Sequence, residues 1–150
     1  MSDAKQLTQF ERRRVQMEYV VPLIRDLQRL LGETTVNEAL AKRLELEPGE
    51  GAPGEKADFS LMETGTRQFA AGDALRYEIL ASDQDSFAMD VKQCAYARMM
   101  EELDARDIGH LLLCNNDFRA AAAIGMELAR SETIMQGGAR CDFRYRRRDD

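Results

Sequence analysis

The sequence predicts an α+β fold in which N-terminal helices pack on an antiparallel sheet built from two hairpins, residues 75–93 and 131–146, with helices between them. Three observations carry this reading. In the first forty-odd residues the apolar side chains recur at spacings of three and four, the period of one buried helix face. From Leu75 the spacing changes to two, the period of a half-buried strand. The same alternation returns after Gly137-Gly138, a dipeptide suited to reversing the chain.

Each element follows from its own residues. Leu7, Phe10, Met17, Val21, Ile24 and Leu31 form one stripe and predict a long helix over 3–31. Pro22 lies inside it, and its missing amide predicts a kink or a split near Val20–Val21. Thr35 and Glu38 have capping-box spacing, so a second helix is expected to start at Thr35, burying Val36, Ala39, Leu40 and Leu44 and stopping before Pro48. Residues 47–57 are rich in glycine, proline and charge and read as a connection within one domain spanning 1–150. Ser60–Phe69 is read as helix. Leu75, Tyr77 and Ile79, the turn Asp83-Gln84-Asp85-Ser86, and Phe87, Met89 and Val91 read as a hairpin. Tyr96, Met99, Met100 and Leu103 restore the helical period over 95–105. A loop and a short apolar segment, His110–Cys114, precede a helix capped by Asn115 or Asn116 and running through Phe118, Ala121, Ala122, Gly125 and Leu128. The closing hairpin is expected to pair Glu132–Gln136 with Ala139–Arg146. On its last strand Cys141, Phe143 and Tyr145 share one face, and Arg140, Asp142, Arg144 and Arg146 share the other. Arg146-Arg147-Arg148 reads as a solvated tail.

Composition removes several classes of function. With 27 acidic against 21 basic residues the net charge is −6, a poor match to a phosphate backbone. No apolar run approaches the roughly 20 residues that span a bilayer. The start, MSDAKQLTQFERRR, lacks the apolar core of a secretory signal. Three cysteines, an odd number without a CxxC pair, suit a reducing compartment, so the expected location is the cytoplasm.

Few residues are equipped for chemistry. In Cys114-Asn115-Asn116-Asp117 a thiol precedes a predicted helix start, where the positive end of the macrodipole favours thiolate. Asp117 could carry a proton, although its charge opposes ionisation of the thiol. The same four residues also suit a plain helix start with a buried cysteine. Cys141 and Asp142 divide similarly between a pocket floor and ordinary strand packing, with Asp142 pairing to Arg140 or Arg144. The three cysteines with His110 or an aspartate form a conceivable zinc set, but close-spaced ligand pairs are missing. His110, the single histidine, is the remaining group that titrates near neutral pH.

Taken together, Cys94, then Cys114-x-x-Asp117, then Thr133-Ile-Met-Gln-Gly-Gly-Ala-Arg-Cys141-Asp142-Phe143 resemble the signature region of the L-2-amino-thiazoline-4-carboxylic acid hydrolase family. The resemblance spans about residues 75–146, and the closing Thr…Gly…Cys-Asp-Phe string is its most specific part. It implies hydrolytic opening of a five-membered ring bearing a C=N bond and a carboxylate, giving a carbamoyl-cysteine on a route to cysteine. Attack needs an activated water or a thiolate; the preferred roles are Cys114 or Cys141 as nucleophile, Asp117 as proton carrier, and Arg140 or Arg144 as clamp for the substrate carboxylate. Asp142 would orient one guanidinium, Thr133 would hydrogen-bond the substrate, and Cys94 would lie near the wall. The implied partner is a small carboxylate-bearing heterocycle, with no cofactor, nucleic acid or membrane. The helix-plus-sheet plan also resembles small-molecule-binding domains of the 4-vinyl-reductase type, which would hold a ligand without turning it over. A dimerisation role for the first helix is the third alternative.

Overall fold

In the computed structural model, residues 6–46 and 59–148 are described. The glycine- and proline-rich connection expected over 47–57 lies outside them. Six α-helices and four strands follow one another as α1 (Gln9–Leu31), α2 (Glu33–Arg43), α3 (Ser60–Ala70), β1 (Leu75–Ser82), β2 (Ser86–Cys94), α4 (Ala95–Glu102), α5 (Arg106–Gly109), a π-helical turn (His110–Cys114), α6 (Asn116–Ala123), β3 (Met126–Ala129) and β4 (Cys141–Arg147). The strands form one antiparallel sheet in the order β1-β2-β4-β3.

Helix α1 runs unbroken through Pro22, where a split had been one expectation. Pro22 lies on the exposed face, so water can satisfy the carbonyl that loses its amide partner. Thr8 caps the helix, its hydroxyl accepting from the Glu11 amide at 3.1 Å. The opposite face buries Met17, Val21 and Ile24, and burial of each contributes about 1.5–3 kcal/mol. Helix α2 begins at Glu33, two residues before the expected capping box, because Gly32 adopts φ +94° and reverses the chain directly after α1. Thr35 and Glu38 make no cap; they are exposed on the helix surface.

The first hairpin forms as predicted, Asp83 organising its turn by accepting from the amides of Asp85 and Ser86, both at 2.8 Å. The second departs from expectation. Glu132–Gln136 is not a strand; β4 pairs instead with β3, and residues 130–140 form a long loop between them. The cause is Gly125, whose φ of +75° stops α6 at Ala123 and turns Met126 and Leu128 from helix into strand. Gly137-Gly138 still makes a turn, but inside that loop. Gly137 takes φ +96°, and a Cβ on Gly138 would lie 2.9 Å from the Thr133 carbonyl. The first two arginines of the expected tail belong to β4: Arg146 pairs with Glu127, and Arg147 with Asp85 while lying over the Phe59 ring.

Two apolar clusters result. One joins α1, α2, α4, α5 and the π-helical turn around Met99, Met100 and Ile108. The other fills the inner face of the sheet with Phe59, Phe87, Val91 and Met126. Leu75, Cys94 and Ile134 touch both. Among the described residues no helix is long and apolar enough to cross a membrane.

Candidate functional site

Strand alternation decides which β4 side chains enter the interior. Cys141, Phe143 and Tyr145 point toward the helices, while Asp142, Arg144 and Arg146 point away. Between this inner face and α1, α3, the π-helical turn and α6 lies a cavity of about 370 Å³. Cys94, Cys114, Asp117, Thr133 and Cys141 all line it. The sequence-derived candidates from four separate segments therefore meet at one place. Asp142, Arg140 and Arg144 do not join them.

The outer face explains why. Arg140 Nη1 donates to Asp90 Oδ2 at 2.6 Å, and Arg144 Nη2 to Asp90 Oδ1 at 2.9 Å. Asp90 faces Asp142 across the β2–β4 ladder, so both arginines are committed to a strand neighbour rather than to a ligand in the cavity. Asp142 pairs with neither arginine. It accepts from the Ser131 amide (2.9 Å), the Ser131 hydroxyl (2.5 Å) and the Glu132 amide (2.9 Å), which pins the start of the long loop to β4. That loop delivers Arg130 and Thr133 to the cavity. Burial alone would raise the Asp142 and Asp90 carboxyls. Hydrogen bonds from Ser131 and Glu132 at one, and from Arg144 and Arg140 at the other, bring both below the usual aspartate value.

One basic group of the cavity is Arg130, which no periodicity in the sequence marks. Its side chain is only 3% exposed. Nη1 donates to Asp117 Oδ2 at 3.0 Å, Nη2 donates to the Cys114 carbonyl at 3.2 Å, and the guanidinium lies over the rings of Phe118 and Phe143. Two aromatic faces and two acceptors hold this guanidinium in a fixed position. Asp117 lines the cavity and retains 37% of its side-chain surface. Burial pushes its carboxyl above the ordinary value, against the opposing pull of Arg130. Arg13 of α1 also lines the cavity and spends one hydrogen bond, 2.9 Å, on Gln16.

The thiols behave differently from the sequence expectation. Burial, reinforced by Asp117, raises the Cys114 thiol to about 12. Burial also raises Cys141 to about 11, despite a 3.3 Å hydrogen bond from the Ile134 amide, and raises Cys94. The macrodipole argument fails for Cys114 because the π-helical turn ends there, opposing its carbonyls to the amides of the short α6. Neither Asn115 nor Asn116 caps α6; the Asn115 amide closes the π turn on the His110 carbonyl at 2.8 Å, and the Asn116 side chain donates to the Leu112 carbonyl at 2.9 Å. Thr133, buried, exchanges hydrogen bonds with Gln136.

His110 is part of that π-helical turn, not a loop, and lines a shallow surface depression with Arg106, Asp107 and Gln136. Burial lowers its pKa below the usual histidine value. Among the described residues no three His, Cys, Asp or Glu side chains are placed to hold a metal ion.

A family model described as L-2-amino-thiazoline-4-carboxylic acid hydrolase matches residues 12–145. No curated protein matches the sequence. Among solved structures, the phenol-responsive sensory domain of the transcription activator PoxR, with phenol, is similar at a TM-score of 0.47 and 12% identity, covering 84% of this chain and 71% of that one. The Fe(II) unliganded H-NOX protein from K. algicida is similar at 0.41 and 10% identity, covering 89% and 74%.

Proposed function

The chain belongs to the L-2-amino-thiazoline-4-carboxylic acid hydrolase family, and from that premise we propose that the cavity opens a cyclic C=N ring bearing a carboxylate by adding water to it. The observation that carries the reading is the convergence of Asp117 and the buried Arg130 on one cavity with Thr133 and the three thiols. The ring carbon between sulfur and nitrogen is the electrophile. Asp117, as carboxylate, takes a proton from water as its oxygen bonds to that carbon. As carboxylic acid it hands that proton to the ring nitrogen, which takes the C=N π pair; it then relays the adduct's hydroxyl proton to the ring atom whose bond to the carbon breaks, leaving C=O in the open carbamoyl product. A raised carboxyl suits this exchange, since it brings acid and base forms closer to balance near neutral pH.

Water is favoured over a cysteine as the attacking group. A thiol at about 12 is ionised in on the order of one molecule in ten thousand at pH 8. In this reading Cys114 and Cys141 shape the cavity beside the ring. The carboxylate clamp passes from Arg140 and Arg144 to Arg13, which lines the cavity and keeps most of its guanidinium uncommitted to Gln16. The cavity is also larger and more apolar than a bare five-membered ring requires. Leu61, Met62, Phe69 and Ile124 line its outer part, which supports a ring carrying an apolar substituent.

The test is a turnover screen of cyclic amidine carboxylates, following release of a new thiol or carbamoyl group, with Asp117→Asn in parallel. Turnover by the wild type and a loss of about 100-fold or more in the variant is the expected result. The apolar lining and the protonated thiols also favour a second reading, a binding domain without turnover. Saturable binding of these compounds with no product from any of them would replace the first reading with the second.

A further inference from the structure

Helix α1 carries two apolar faces, and the sheet and helices of its own chain cover only one. Opposite Met17, Val21 and Ile24 stand Val15, Tyr19, Leu23 and Leu30, exposed at 61%, 75%, 46% and 79%, with exposed Pro22 among them. Together they present roughly 500 Å² of apolar side chain in one stripe, at the upper end of what a monomer shows.

We propose that this stripe is the contact between two copies of the chain, whose α1 helices lie antiparallel about a two-fold axis at Tyr19. The sequence is symmetric about that residue in the way such an axis requires. Val15 and Leu23 each stand four positions away, so each meets the other on the opposing copy. Arg12 and Asp26 each stand seven positions away, both exposed and on the same face, so Arg12 of each copy meets Asp26 of the other. Tyr19 meets its own counterpart at the centre. Asp26 sits within the apolar stripe and, among the described residues, pairs with Arg29 on its own helix. The antiparallel register supplies it with a cation across the interface, twice, by symmetry. A parallel pairing would place Asp26 against Asp26 and Arg12 against Arg12. With a polar rim the contact lies at the small end of specific interfaces, about 600 Å² per partner, so micromolar association is expected.

The experiment is sedimentation equilibrium across concentrations up to about 100 µM, on wild type, Tyr19→Glu, Arg12→Asp, Asp26→Arg and the Arg12→Asp/Asp26→Arg double variant. Circular dichroism melts check that each keeps its fold, since all these positions are exposed. Wild type should dimerise, and each single variant should weaken dimerisation by at least about tenfold. The double variant should recover. An equimolar mixture of Arg12→Asp and Asp26→Arg chains should form a mixed dimer, visible by native mass spectrometry, because both cross-pairs become opposite in charge. A wild type that stays monomeric throughout, indifference to Tyr19→Glu, or failure of the mixture and the double variant to recover would each overturn the proposal.

Discussion

At the scale of single residues, burial rather than sequence neighbourhood sets the chemistry. Three cysteines enter one cavity and all are held in the thiol form, while an aspartate beside a cation is nevertheless raised. Native protein should therefore react with a thiol reagent at pH 8 at least about tenfold more slowly than urea-unfolded protein. Equal rates would mean that the thiols are open and ionised. If Asp117 is the base, activity must rise with pH through a carboxyl pKa above the ordinary 3.8, and that limb must vanish in Asp117→Asn. Arg13→Lys separates charge from the planar fork. A KM raised several-fold with kcat nearly unchanged is expected for a carboxylate substrate, whereas Arg140→Lys should leave both alone, its partner being Asp90 on the outer face. Unchanged kinetics in Arg13→Lys would remove it as the clamp.

At the scale of elements, the long loop between β3 and β4 depends on Asp142. Replacing it by Ala strands three donors at the loop's base and should cost about 2–4 kcal/mol, with Asp142→Asn intermediate. The pH dependence has a definite sign. Asp142 and Asp90 lie below the ordinary aspartate value in the folded state, so their stabilisation is present above about pH 4 and is lost as pH falls through their lowered values. Asp117 is raised, so its contribution runs the other way and declines as pH rises past 3.8. Acid melts of Asp142→Asn should show a shallower loss of stability below pH 4 than wild type; an unchanged slope would contradict the assigned role.

Periodicity made α1, α4 and the first hairpin legible, because each has enough turns or alternations for the pattern to repeat. It also placed Cys141, Phe143 and Tyr145 on one face correctly. It failed where one backbone angle decides: Gly32 and Gly125 adopt positive φ, and they move the start of α2 by two residues and the end of α6 by five. The family-like string found the cavity's thiols, Asp117 and Thr133. It missed Arg130 and Arg13, whose roles come from elements that meet only in three dimensions, and it drew Arg140, Asp142 and Arg144 inward, although strand parity had already put them on the opposite face from Cys141.

At the scale of the molecule, the sheet order has a consequence for how the chain acquires its shape. β4 lies between β2 and β3, so each of those strands has β4 as its inner neighbour. The pairing of β2 with β4 sets Asp90 opposite Asp142, distant in sequence, a costly loop to close and a slow contact to make. During synthesis, then, β1 and β2 can zip as a local hairpin, but β3 must wait, unpaired, for residues 141–147 to leave the ribosome. The wall of the cavity formed by Cys141, Phe143 and Tyr145 arrives in the same event. Pulse-labelled hydrogen exchange during refolding should find the β1–β2 amides protected first, and those of β3 and β4 together and later. Nascent chains arrested before Cys141 should bind no ligand at all. The cavity thus comes into being only once β4 has been made, in a single closing step.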